Sequence, residues 1–266
     1  MVQEYQDQTA SVVQYQDRLL RDGCRLVYAW FEAMHTRIDI VIHDRDASFE
    51  TIHDVCRMVA DETVRIERMA SRFLHGSEVD ILNSAPAGEW VVLSGELAGI
   101  ISDCRRYSIE TGGLFDVTAS KDMADVPFDR KIEYDLQSPA VRRLDERVKV
   151  DLSGYIKGYA LDKTVDMLRA SGLVNALVNF GNSSVYAMGN HPGGSGWQVE
   201  TADGRERYML HDQCLTTSGN NTVEREHIIN PVTGKSLHGA GSVSVVTDSG
   251  SEGEVMSIVA FLKNHI

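Results

Sequence analysis

No stretch of this 266-residue chain approaches the roughly 18 consecutive apolar residues that a membrane-spanning helix needs, so no such helix is expected. The four cysteines, Cys24, Cys56, Cys104 and Cys214, lie far apart. The close pairing of zinc sites and redox dithiols is missing, and the thiols are expected to be reduced, buried and without a disulfide role. Neither the G-x-x-x-x-G-K-[ST] phosphate loop nor the glycine spacing of the dinucleotide fingerprint occurs. Positive charge is also scarce. Lys and Arg number 26 against 39 Asp and Glu, a formal net charge of -13, which argues against gripping nucleic acid or an anionic membrane over a broad face. A locally basic pocket for one phosphate remains compatible with it. The opening MVQEYQDQTASVVQYQDR has no basic start followed by an apolar run, so no signal peptide is read. The chain as written is expected to be cytoplasmic. A periplasmic protein trimmed of its export signal would read the same way.

What is present is an ordinary globular composition, 42% hydrophobic and 24% charged, in a chain long enough for a full core. Cys24 to Asp44 is rich in Val, Ile and aromatics and alternates from Thr36 to Ile42, which predicts two paired strands. Ala47 to Phe73 has a helical stripe (Ile52, Val55, Cys56, Val59, Val64, Ile66, Met69), with Asp46 or Ser48 as cap. Further helices are predicted over Ser94–Thr111, stopped at Gly112-Gly113, over Ile156–Ala170, stopped at Ser171-Gly172, and over Glu252–Lys263. Between the last two lie short β-rich runs: ALVNF, SVYAM, GWQVE, RYML, CLTTS, HIIN and SVSVV. With no repeat and no low-complexity linker, the reading is a single α+β domain of interleaved halves.

Three knots of small residues stand beside these elements. Asp151-Leu-Ser-Gly-Tyr-Ile-Lys-Gly158 leads into a helix. Its small residues let a backbone approach a ligand, the helix amides favour an anion, and Lys157 can reach a phosphate. Asn179-Phe-Gly-Asn-Ser183 ends a strand in a tight turn, and Thr216-Thr-Ser-Gly219 offers three hydroxyls. Each is equally a plain turn when taken alone. His227-Ile-Ile-Asn-Pro-Val-Thr-Gly234 follows within ten residues of the last knot. A lone histidine there has both a structural and a functional reading.

In their order these pieces resemble the ApbE-like family of FAD:protein FMN transferases. The resemblance is carried by Met34-His-Thr36, Ser71-Arg-Phe73 with Ser77-Glu78 and Leu82-Asn83, Gly113-Leu-Phe-Asp-Val-Thr118, Asp151 to Asp162, Asn179 to Ser183, Thr217-Ser-Gly219, and His227 to Gly234. It covers roughly residues 34 to 260. It implies an ApbE-like (T-fold-related) α+β architecture, antiparallel sheets and packed helices around a central flavin-nucleotide cleft. It also implies a reaction: the FAD pyrophosphate is cleaved, FMN passes to a threonine of a partner flavoprotein, and AMP leaves with Mg²⁺ assisting. Carried over by position, Met34, Glu78 and Asp116 border the nucleotide, and Lys157 and the amides around Gly154 face the pyrophosphate. Asp162 contacts the adenosine side, and Thr217 and Ser218 hold the ligand. His227 and Lys157 are then the catalytic candidates, Gly154 and Glu254 the metal candidates.

The chain departs from the family at several of these points. The family opens its last helix with A-D-x-x-x-T, and here the run is Gly253-Glu-Val-Met-Ser-Ile258. Glu254 keeps a carboxylate while Ile258 loses a hydroxyl, which weakens a site for an octahedral, oxygen-seeking ion. Asn230 and Val232, Ser183 and His35 also replace family residues. Three readings follow: an FMN transferase or FAD pyrophosphatase, a catalytically degenerate flavin-nucleotide binder or assembly partner, and a shared fold with another ligand.

Overall fold

The computed structural model of the chain describes residues 12–201, 204–220, 228–237 and 241–264. They form two compact units, each built from three separate stretches: Met1–Glu67, Lys157–Thr217 and Ser244–Glu254 in the first, Arg68–Ile156, Ser218–Val243 and Val255–Ile266 in the second.

The first unit is organised on a sheet. Strands β1 (Gln14–Leu19), β2 (Arg25–Ala33) and β3 (Thr36–Asp44) form a meander. After α1 (Phe49–Ala70) and, much later, α4 (Ile156–Ala170), strands β7 (Ala176–Phe180) and β8 (Ser184–Met188) extend it antiparallel beside β3. A hairpin of β9 (Trp197–Glu200) and β10 (Arg207–Leu210) stands apart from the ladder. With β11 (Gln213–Asn220) and β12 (Gly241–Thr247) the sheet order is β1-β2-β3-β7-β8-β11-β12. The alternation read from the sequence holds. Val27, Ala29, Phe31, Ile38, Ile40, Ile42, Val178 and Phe180 are buried, all at period-two positions on one face. The other face is covered in part by the hairpin, where Trp197, Val199 and Leu210 join Ala187 and Leu215 in one apolar cluster. Helix α1 lies along β1, with Tyr15 stacked on His53 at 3.9 Å.

The second unit carries α2 (Glu78–Ser84), α3 (Gly95–Glu110) and a small sheet of β4 (Val91–Val92), β5 (Ile132–Tyr134) and β6 (Ala140–Arg143), in the order β4-β6-β5. The guanidinium of Arg143, buried in this sheet, donates to the carbonyls of Leu82 (3.0 Å) and Ala85 at the C-terminus of α2, where a cation is favoured. The closing helix α5 (Gly250–Lys263) starts in the first unit and ends in the second.

Some elements differ from the sequence reading. Helix α1 stops at Ala70 rather than Phe73, because the Ser71 hydroxyl takes the Phe73 N–H and closes a local turn that competes with the helix. Ser48, not Asp46, caps its start, accepting from the Thr51 N–H at 3.1 Å. The HIIN run forms only a bridge, Ile229 to Ser236, among the described residues. The four cysteines are free and buried, as read; burial above all pushes the Cys56 and Cys214 thiols up to about 12.

Candidate functional site

The family-like Asp151–Asp162 run leads from the second unit into α4, with Lys157, the first of its residues in the first unit, in the opening turn. Gly158 faces the start of α5. A Cβ there would meet the Gly250 carbonyl and the Glu254 side chain, so this glycine is required by helix–helix approach. One turn further, the Asp162 carboxylate caps α5, accepting from Gly250 N (2.5 Å) and Ser251 N (2.9 Å). Burial raises its pKa while these bonds oppose the rise. Gly158 and Asp162, four residues apart on one face, therefore seat α5.

Seating α5 brings Glu254 inside. It is 5% exposed and accepts from the Ser184 hydroxyl at 2.7 Å. Burial pushes its carboxyl pKa up, and the Lys157 charge and the Ser184 bond partly offset this. Lys157 Nζ donates to Ser183 Oγ at 3.2 Å. Ser183, closing the Asn179–Ser183 turn, thus takes the ammonium, and Ser184, opening β8, donates to the carboxylate. Thr217 Oγ1 and Ser244 Oγ are 2.8 Å apart, and Thr216 packs so closely on Gly253 that no Cβ fits there.

The same unit holds a strained hairpin tip. Met34 (φ 52°) and His35 (φ 57°) are both left-handed, in a two-residue turn that normally selects Asn-Gly. The Glu67 carboxylate accepts from the Met34 N–H at 2.7 Å and lies 3.9 Å from the His35 imidazole. Thr36 lies against Gly181, which has φ 62° and no room for a side chain. The Met-His-Thr and Asn-Phe-Gly motifs are therefore neighbours in space.

In the second unit the Asp151 carboxylate accepts from Ser153 N (3.0 Å) and Ser153 Oγ (2.5 Å) and is paired with Arg72 at 3.1 Å. Its N–H donates to the Val117 carbonyl at 2.7 Å, which ties the Asp-Leu-Ser-Gly turn to the Phe-Asp-Val-Thr turn. Asp116 is held below the surface by Lys131 Nζ (2.8 Å), Thr118 N (2.7 Å) and Thr118 Oγ1 (2.5 Å). Glu78 accepts from the N–H of Ser94, the residue capping α3, at 2.6 Å. The Ser218 hydroxyl faces that of Ser257 on α5 at 2.7 Å. A Cβ on Gly154 would have one close neighbour, the Ile258 Cδ1 at 3.0 Å.

Several sequence candidates thus have structural work of their own. Asp116 and Glu78 fix turns, Asp162 caps a helix, and Ser218 joins a strand to α5. Lys157, Thr217, Met34 and Glu254 belong to the first unit, Gly154 to the second. His227 lies outside the described residues. Its motif continues as a turn in which Asn230 Oδ1 accepts from Val232 N (2.9 Å) and Thr233 N (3.0 Å). Asn230, standing where the family has an acid, is a turn-forming residue here. Sequence reasoning missed Glu67, Lys131, Ser184 and Ser257. Each meets its partner across at least 15 positions, with no local spacing to mark it. No cluster of three or more His, Cys, Asp or Glu that could hold a metal occurs among the described residues. No helix there is long and apolar enough to cross a membrane.

Comparison with known proteins places this arrangement. The ApbE family model matches residues 34–265, and the chain belongs to that family. It is similar to an FAD:protein FMN transferase of Rhodobacter capsulatus, 29% identical over 210 residues, which are 65% of this chain and 40% of that protein. It is 26% identical over 215 residues to one of Chlamydia pneumoniae, covering 69% of this chain and 68% of that one. The chain thus spans well under two thirds of the Rhodobacter relative. In fold it matches the flavin transferase ApbE of Vibrio cholerae (TM-score 0.77, 20% identity, 90% of this chain and 87% of that one). The ApbE protein of Thermotoga maritima matches equally (TM-score 0.78, 20% identity, 95% and 88%).

Proposed function

We propose that this chain is an FAD:protein FMN transferase, carrying FMN from FAD to a threonine hydroxyl of a partner flavoprotein. The observation that carries the reading is the Lys157 group: a cation in the first turn of α4, inside the family motif, donating to Ser183 and acting electrostatically on buried Glu254. The acceptor oxygen bonds to the FMN-side phosphorus, the pyrophosphate P–O bond breaks, and AMP departs with the bridging oxygen. The hydroxyl proton goes to a base, for which His227 is the candidate. Such a reaction depends on positioning and charge stabilisation more than on covalent help. Lys157 meets the pyrophosphate charge, and Thr217 with Ser244 offers hydroxyls for orienting the nucleotide. The acceptor shares the chain's compartment.

Fluorescence titration with FAD, AMP release, and mass analysis of a threonine-bearing acceptor flavoprotein test the reading together. Lys157→Ala should weaken FAD binding by about tenfold or more, the scale of a charge-assisted phosphate contact. An unchanged dissociation constant in the folded variant removes the pyrophosphate from this turn. Binding without AMP release or acceptor labelling replaces the transferase with a flavin-nucleotide binder.

A further inference from the structure

The fold family implies Mg²⁺ at the opening turns of α5, with positions 254 and 258 and the Gly154 turn as its oxygen donors. Mg²⁺ demands about six oxygens in near-octahedral array and gives up its waters reluctantly. Position 258 offers only hydrocarbon. Its Cδ1 lies against the backbone of Gly154, 3.0 Å from where a Cβ would stand, so a methyl group occupies the approach to that turn. Position 254 keeps a carboxylate, but the Ser184 hydroxyl already binds it at 2.7 Å in a buried setting. The donors present do not fit the ion.

We infer that this chain handles its nucleotide without a divalent ion at α5, with Ile258 covering the Gly154 turn and Lys157 supplying the positive charge. Lys157 suits the part. It directly precedes Gly158, the glycine packed against the start of α5, and its ammonium already donates to Ser183 at 3.2 Å. A lysine is a compact point charge with three donors on a flexible stem. It neutralises a phosphate without imposing octahedral geometry. The inference rests on the transferase reading for the identity of the nucleotide, and the test separates the two.

The FAD dissociation constant is measured in EDTA and in millimolar Mg²⁺ for the unsubstituted chain, for Ile258→Thr and for Lys157→Gln. The Mn²⁺ electron paramagnetic resonance signal is followed in parallel, with and without FAD. The unsubstituted chain should bind FAD equally, within about twofold, in both media and leave the Mn²⁺ signal that of the free ion. Lys157→Gln should lose about tenfold in both media alike. Ile258→Thr should gain Mg²⁺-dependent tightening and bound Mn²⁺. Tightening by about tenfold in Mg²⁺, or bound Mn²⁺, in the unsubstituted chain overturns the inference. An Ile258→Thr chain that binds FAD yet ignores both ions overturns the role given to Ile258. If no protein binds FAD, the transferase reading fails, while the Mn²⁺ signal alone still decides the metal question.

Discussion

Among the described residues, the carboxylates of Asp116 and Glu254 are both buried and are treated differently. Asp116 meets a full ammonium from Lys131, a backbone N–H and a hydroxyl, and its side chain is 4% exposed. Glu254 accepts from the neutral Ser184 hydroxyl, burial raises its pKa, and the Lys157 charge and the Ser184 bond partly offset that rise. A buried charge with its counter-ion in contact is a structural pin, stable only as a pair. A buried carboxyl whose pKa is raised changes its charge state more readily with pH or with a charge bound beside it. Asp116 thus pins the second unit, while Glu254 is the carboxyl of the first whose proton a change of pH can move.

The sharpest way to break this contrast is at Lys131. Lys131→Met should destabilise the fold by about 3–5 kcal/mol, because it leaves the Asp116 charge buried and unpaired. The double variant Asp116→Asn with Lys131→Met should recover much of that loss. Urea unfolding at constant m-value measures both. A loss under about 1 kcal/mol for Lys131→Met would make the pair incidental.

A smaller effect is expected at Glu254, and its sign depends on pH. A carboxyl whose folded pKa is raised holds its proton more tightly in the folded state. Its contribution is present below the unfolded value of about 4.3 and lost as pH rises through the folded pKa. Glu254→Gln should therefore become more stable relative to the unsubstituted chain as pH climbs from about 4 to about 8. Asp162, raised in the same direction, remains in both proteins and cancels in the difference. Ser184→Ala should cost about 1–3 kcal/mol, since a buried acceptor loses a donor. A flat difference between Glu254→Gln and the unsubstituted chain across this range would make Glu254 as settled as Asp116.

These two carboxylates also mark what the sequence could show. The sheet and the helices α1, α3, α4 and α5 were legible because periodicity and caps are local: Ser94, Gly112 and Gly172 announce their helix ends in place. The family motifs were legible because their order is preserved. Missing were β1, whose polar QYQDRL run carries no apolar alternation, and the small β4–β6 sheet, whose strands are two to four residues long. Beyond local pattern, too, was the division of labour within the motifs. That Asp162 caps α5 while Lys157 turns to Ser183 depends on contacts 26 to 89 positions apart.

A third carboxylate gives the mildest test, because it serves strain rather than burial. Glu67 holds Met34 and the neighbourhood of His35 in a turn where both residues are left-handed. Left-handed backbone costs a residue other than glycine about 1–2 kcal/mol. His35→Gly removes that cost at one position, at the expense of about 0.5–1 kcal/mol of extra unfolded-state entropy. His35 is itself 66% exposed in its side chain, and its 3.9 Å approach to Glu67 contributes little in water. The net should be a gain of about 0.5 kcal/mol, read as a small rise in melting temperature. Strain of this kind persists where a site uses the shape it imposes. The informative measurement is therefore FAD affinity beside stability. A stabilised variant with weaker FAD binding ties the tip to the nucleotide site, alongside the Thr36–Gly181 contact. A stabilised variant with unchanged binding makes His35 a tolerated substitution for the family's glycine, and Glu67 its structural support.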